Sequence, residues 1–177
     1  MIGTTSKTAR RHVLGIVVLL ALAGLLTGCV FRAPDRASNQ RTEPDMDAET
    51  AKQQMIDAVD DATRLLGGHW EARTGPDYPE DCVLSDGEQG AQWRYLTGST
   101  LAGNPSEDGA RIADHWRGQG LQVVVRGSSD GPAVFGSGGG QIASISAYVY
   151  PGNYTVQAVS LCFPGDADRI VEQQADE

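Results

Sequence analysis

The chain has 177 residues and a formal net charge of −9, with 23 Asp and Glu against 14 Lys and Arg. Such a length suits one folded domain with a short extension. An acidic chain repels phosphate backbones and anionic headgroups, which argues against nucleic-acid partners and against a basic membrane-binding surface.

Lys7, Arg10 and Arg11 make a basic start, and Val13 to Leu26 carries no charge. That run is shorter than the roughly 20 residues of a relaxed membrane span. It closes on Leu26-Thr27-Gly28-Cys29, with a small residue before the Cys as a cleavage site requires. Met1 to Cys29 therefore resembles a bacterial lipoprotein signal with its lipobox. The resemblance implies diacylglyceryl transfer to the Cys29 thiol, cleavage before Cys29 and acylation of the new amine. Two or three acyl chains anchor stably, since each buried CH2 contributes about 0.8 kcal/mol and a single chain is marginal. An uncleaved signal anchor and a plain secreted protein are the rival readings. Val30 follows the Cys, so the Asp that marks inner-membrane retention in two-membrane bacteria is absent. With few lysines and much Ala and Gly, the mature chain resembles small envelope lipoproteins of high-GC bacteria, a group of uncharacterised function.

The expected organisation is a signal peptide over 1–28, a lipidated Cys and flexible tether over 29–43, a single α+β domain over 44–165 and an acidic C-terminal tail over 166–177. The tether, rich in Arg, Pro, Asp, Ser and Asn, has no apolar period and reaches at most roughly 50 Å when extended. Outside the cytoplasm, Cys82 and Cys162 are expected to pair. Their loop of roughly 80 residues would contribute about 4.5 kcal/mol in the chain-entropy picture. Neither has a His or another Cys at ligand spacing, so no metal site is expected.

Ala48, Ala51, Met55, Val59, Ala62 and Leu66 recur at spacings of three and four, predicting a helix over Asp47 to Leu66 that Gly67-Gly68 stops. Asp57, Asp60 and Asp61 fall on another face, read as solvated. His69 to Arg73 is expected as a short strand, Thr74 to Gly90 as a turn-rich stretch with a strand fragment at Cys82, and Gln92 to Leu101 as an alternating strand. Asn104-Pro105-Ser106-Glu107 carries the capping signals of a second helix with Ile112, Ala113 and Trp116 inward. Strands follow at Leu121 to Arg126, Pro132 to Phe135, Gln141 to Tyr150 and Tyr154 to Phe163. Pro151-Gly152-Asn153 turns the last pair, and Val159, Leu161 and Phe163 are read as the inner face. The fold class that emerges is α+β: an antiparallel sheet with two helices packed on one face and one disulfide.

Chemistry is sparse. Gly127-Ser128-Ser129-Asp130-Gly131 spells G-x-S-x-G, but no helix is expected after Ser129, and His69 and His115 both precede it. Gly136-Ser137-Gly138-Gly139-Gly140 lacks the Lys and helix of a phosphate loop and reads as a hairpin or ligand-facing loop. Glu80 with Asp81 could join a distant acid as a glycosidase dyad, a weak signal in a chain so rich in acids. Asp166 and Asp168 lack the further ligands of a Ca2+ loop. Tyr148, Tyr150 and Tyr154 are expected to form an exposed aromatic binding patch. No catalytic residue, metal or cofactor is assigned. The expectation is a lipid-anchored domain on the extracytoplasmic face of the cell membrane, a non-catalytic module binding an envelope protein, glycan or small ligand. An accessory subunit or inhibitor of an envelope complex, and a small envelope hydrolase using Ser129 with His69 or His115, are the alternatives.

Overall fold

The computed structural model describes residues 46–176, so Cys29 and the signal and tether expected around it lie outside the described residues. Within them the order is α1 (Ala48–Leu66), β1 (Glu71–Val83), β2 (Gln89–Ser99), α2 (Pro105–Gly118), β3 (Gln122–Gly127), β4 (Pro132–Ser137), β5 (Ile142–Tyr150), β6 (Asn153–Ser160), β7 (Phe163–Pro164) and α3 (Ala167–Ala175). The strands form one antiparallel sheet in the order β1-β2-β6-β5-β4-β3, with β7 paired to the start of β2. The α+β architecture and the Cys82–Cys162 disulfide are as expected.

One face of the sheet carries the core. Asp47 caps α1, its carboxylate accepting from the Thr50 N–H at 2.7 Å. The stripe of Ala51, Met55, Val59, Ala62 and Leu66 then lies flat on the sheet, fully buried. Asn104 caps α2, which buries Ile112, Ala113 and Trp116. Facing them are Trp93 and Thr97 of β2, Ile145, Ala147 and Val149 of β5, and Tyr154, Val156 and Ala158 of β6. The Trp93 indole N–H donates to the Ala48 carbonyl at 2.8 Å, tying the start of α1 to β2. Among the described residues no helix covers the opposite face of β5, β4 and β3, and Ser144, Tyr148 and Val124 are exposed there.

Three expectations need correction. The turn-rich stretch is mostly strand: β1 runs the full length from Glu71 to Val83, absorbing Gly75 and Pro76 by register shifts between Ala72 and Tyr78, with Pro79 in regular pairing opposite Trp93. Pro is tolerated there because β1 is an edge strand, whose outward N–H groups bond to nothing in the sheet. The inner face of β6 is Tyr154, Val156, Ala158 and Ser160, not Val159, Leu161 and Phe163. The strand stops at Ser160, whose hydroxyl accepts from the Trp93 N–H at 2.8 Å, and the chain re-enters as β7 to put Phe163 5.6 Å from the Trp93 ring. The acidic tail is helical to Ala175, capped by Asp166 and held by Ala167 and Ile170 against the core.

The disulfide lies at the corner where β1, β2 and β7 meet. Cys82 is in register with Gly90, and Gly90 with Pro164. The Cys82 and Cys162 Cα atoms are 6.0 Å apart, within the range a disulfide bridges. A Cβ on Gly90 would come within 2.7 Å of the Cys162 sulfur and of the Phe163 carbonyl, so this corner has room only for Gly.

Candidate binding cleft

Beside its core stripe, α1 carries a second row, Gln54, Asp57, Ala58 and Asp61, at helical spacings that bring these side chains to one flank. Across from it stand Trp116 and Gln119 from the end of α2, and Leu121 just beyond. The β4–β5 connection supplies Gly138, Gly139 and Gln141 at the mouth, and Ile142 and Ile145 complete the floor. Together they bound a cleft of about 490 Å3, a size typical of small-molecule sites. Gly138, Gly139 and Gly140 have φ of 85°, 78° and 78°, a left-handed run that residues with a Cβ rarely adopt. The glycine-rich loop therefore serves as one lip of the cleft.

The polar side of the cleft is partly organised. Asp61 Oδ2 lies 2.5 Å from His115 Nε2 and accepts from the Gln119 amide at 2.8 Å, which links α1 to α2. Burial opposes ionisation of Asp61, but the hydrogen bonds from His115 and Gln119 and the charges of His115 and Arg64 outweigh it, holding its carboxyl below the ordinary value. Asp57 accepts from Gln53 at 2.8 Å. The Gln54 Oε1 is out of solvent and accepts no hydrogen bond. Among the described residues no Lys, Arg, Ser, Thr or Cys lines the cleft. It can thus offer carboxylates and amides over an apolar floor, with an Asp–His pair at its rim.

The structure does not assemble the residues singled out for hydrolysis. Ser129 sits in the β3–β4 hairpin turn, its hydroxyl 3.5 Å from Asp130, while the Ser128 hydroxyl donates to the Gly131 carbonyl at 2.8 Å. His69 is exposed near Glu71, and His115 is engaged with Asp61, so no hydrogen bond joins either His to Ser129. Glu80 makes a two-point ion pair with Arg94 at 2.6 and 2.8 Å, and Asp81 accepts from the Gln89 amide at 3.3 Å, so both carboxylates are engaged elsewhere. Among the described residues no cluster of three or more His, Cys, Asp or Glu could hold a metal ion. No helix among them is long and apolar enough to cross a membrane.

The tyrosines separate. Tyr148 and Tyr150 share the open face and meet edge to face at 5.7 Å, and Phe135 joins Tyr148 at 5.8 Å with the Arg126 guanidinium 5.3 Å from its ring. Tyr154 does not belong to that patch. It is fully buried on the helix-covered face, where its hydroxyl donates to Asp108 at 2.9 Å. The same carboxylate accepts from the Asn104 N–H at 3.0 Å and from Arg111 at 2.6 Å. Burial, then the hydrogen bond to Asp108 and its charge, push the Tyr154 hydroxyl up to about 12. The two turn residues Pro151 and Gly152 leave Tyr150 paired with Asn153, so Tyr154 falls opposite Val149 on the inner face.

Asp57 and Asp60 are exposed, as their solvated face implies, and the glycine-rich loop borders the cleft, but the pairing of that loop with the Gln54–Asp61 row of α1 is not legible in the sequence. The spacing of Asp57 and Asp61 from Gln54, next to the apolar stripe, was the available signal for that row.

No family model matches the chain, and no curated protein matches it. Among solved structures it is similar to the crystal structure of a DUF4853 family protein from Actinomyces odontolyticus, with a TM-score of 0.44 and 15% identity. The match covers 66% of this chain and 63% of that one, so the chain spans less than two thirds of that structure's length.

Proposed function

We propose that this is a membrane-anchored, extracytoplasmic lipoprotein whose folded domain is a non-catalytic binding module for a small polar ligand, neutral or cationic. The supporting observation is the cleft, with Asp57, Asp61, Gln54 and Gln141 over Trp116, Ile142 and Ile145 and, among the described residues, no Lys, Arg, Ser, Thr or Cys in its lining. Anions are disfavoured by that lining and by a net charge of −9. Polyols, small sugars and amines are the matching chemistry, since they donate to carboxylates and amide carbonyls. The test is a thermal-shift screen of such compounds on the unaltered protein and on Gln141→Leu with Asp57→Ala. A true cleft ligand at 100 times its Kd stabilises the first by about 2.7 kcal/mol and leaves the double variant unmoved. Hits that stabilise both equally, or none at all, count against the cleft.

The anchor is tested separately. Cys29→Ala abolishes acyl labelling and releases the protein from membranes; labelling that persists in this variant refutes lipidation at Cys29.

The aromatic row Phe135, Tyr148 and Tyr150 on the open sheet face favours a second reading, an accessory subunit or inhibitor of an envelope complex. It expects a co-purifying partner that is lost with Tyr148→Ala, and unchanged co-purification excludes that face.

A further inference from the structure

The two edges of the sheet are built differently. β1 is guarded: Pro76 and Pro79 have no N–H to offer, its register shifts twice, and Glu71, Arg73, Asp77, Glu80 and Asp81 put charge along it. Lys52 of α1 pairs with Asp77, and Gln174 of α3 donates to the Asp77 carbonyl at 3.0 Å, so both helices also hold that edge. These are the devices by which proteins prevent strands from adding to an edge. β3 has only one of them, the charge of Arg126. Its six residues pair with β4 without a register shift, and among the described residues no strand lies on its other side. It contains no Pro, Lys or acid, and Val124 and Val125 are 55% and 45% exposed. A straight apolar edge of this kind is a template for another strand.

Two features say what the added strand is. A shallow groove of about 450 Å3 runs beside β3 on the helix side, with Gly109, Ala110 and Ala113 of α2, Val125 and Pro132 in its lining and the Asp114–Arg117 ion pair along it. Inward side chains of a strand laid on β3 would enter it. The β3 sequence is also self-complementary. Antiparallel pairing about a two-fold axis at Val124 sets Val124 against Val124 of the second copy, Val123 against Val125 and Gln122 against Arg126. Each opposed pair shares a face, Val123 and Val125 lie on the helix side with Val125 in the groove, and no like charges meet. In a chain of net charge −9 the strand itself brings no carboxylate to the pairing, and the Asp114 carboxylate beside it is already paired with Arg117.

We infer that β3 is the seam of a symmetric dimer in which two copies join β3 to β3, making one continuous sheet with the helices of both on the same side. The interface is isologous, so the pairing closes on itself and does not propagate.

The test uses the full chain. Under mild oxidation Val124→Cys forms a covalent dimer on non-reducing gels, well above the unaltered chain, which controls for Cys29. Gln122→Cys and Arg126→Cys do not cross-link singly but do so when mixed. In sedimentation the unaltered chain is a dimer, and Val124→Lys lowers its association constant at least about 10-fold with no change in melting temperature of the separated subunit. A monomeric unaltered chain, cross-linking of Gln122→Cys alone as fast as Val124→Cys, or a dimer that tolerates Val124→Lys overturns the seam.

Discussion

Replacing Tyr154 with Phe removes one hydroxyl from the buried cluster around Asp108 and changes little else in shape. The lost bond is donated at 2.9 Å to a carboxylate that is 6% exposed and keeps its Asn104 and Arg111 donors. Hydrogen bonds to charged groups contribute about 1.5–3 kcal/mol, and the surviving donors put this one toward the lower end. Alkaline pH gives the sharper readout. The Tyr154 hydroxyl is raised from 10.0 to about 12 in the folded chain, so between those values the unfolded chain loses a proton that the folded chain keeps. Tyr154's contribution is therefore complete below pH 10 and declines as pH rises toward 12. By pH 11 the loss is about 1.4 kcal/mol. Tyr95, also raised by burial, declines in the same direction in both proteins and cancels in the comparison. In urea unfolding, the stability gap between the unaltered chain and Tyr154→Phe should thus narrow by about 1.4 kcal/mol from pH 8 to pH 11. A gap that stays constant over that range refutes the assignment of a retained proton to the Tyr154–Asp108 bond.

Removing the disulfide with Cys82→Ser and Cys162→Ser should cost up to about 4.5 kcal/mol, read as a lower urea midpoint, and the oxidised described domain should titrate no free thiol at these positions. Gly90→Ala should destabilise by about 1–3 kcal/mol in thermal unfolding, because its methyl meets the Cys162 sulfur and the Phe163 carbonyl. Asp61→Asn should lower stability at neutral pH. The Asp61 contribution is present above its ordinary 3.8 and disappears as pH falls through its lower folded value, so the two proteins' melting temperatures should converge in strong acid.

Much of the helical architecture was legible. The α1 stripe from Ala51 to Leu66 is long and strictly periodic, and Asn104-Pro105 with Glu107 marks the start of α2 at the correct residue. The strands were harder where composition and pairing disagreed. Gly75, Pro76 and Pro79 have the local chemistry of turns, yet an edge position lets β1 run through them. In Val156-Gln157-Ala158-Val159 both alternating sets include apolar residues, so the inner face is decided by the register with β2 and not by the pattern. The candidate site was legible only in pieces. His115 was visible as a titratable residue, but its partner Asp61 comes from a helix 54 positions earlier. Tyr154 looks like Tyr148 and Tyr150 in sequence, and only the hairpin's pairing sends it to the opposite face.

The position of β6 bears on how the chain reaches this structure. It is the last long strand to be made, yet it stands at the middle of the sheet between β2 and β5. Until it exists, β1 with β2 and β3 with β4 and β5 are two local meanders that share no hydrogen-bonded neighbour. Their union depends on pairings such as Ser99 with Tyr154 and Arg94 with Val159, distant in sequence and costly in loop entropy. Synthesis from the N-terminus therefore yields two waiting halves and then a keystone. Cys162 follows β6 by two residues, so Cys82 meets its mate only once the keystone has been made. A chain ending before Asn153 has neither the bond nor the β6 pairings that join the two halves.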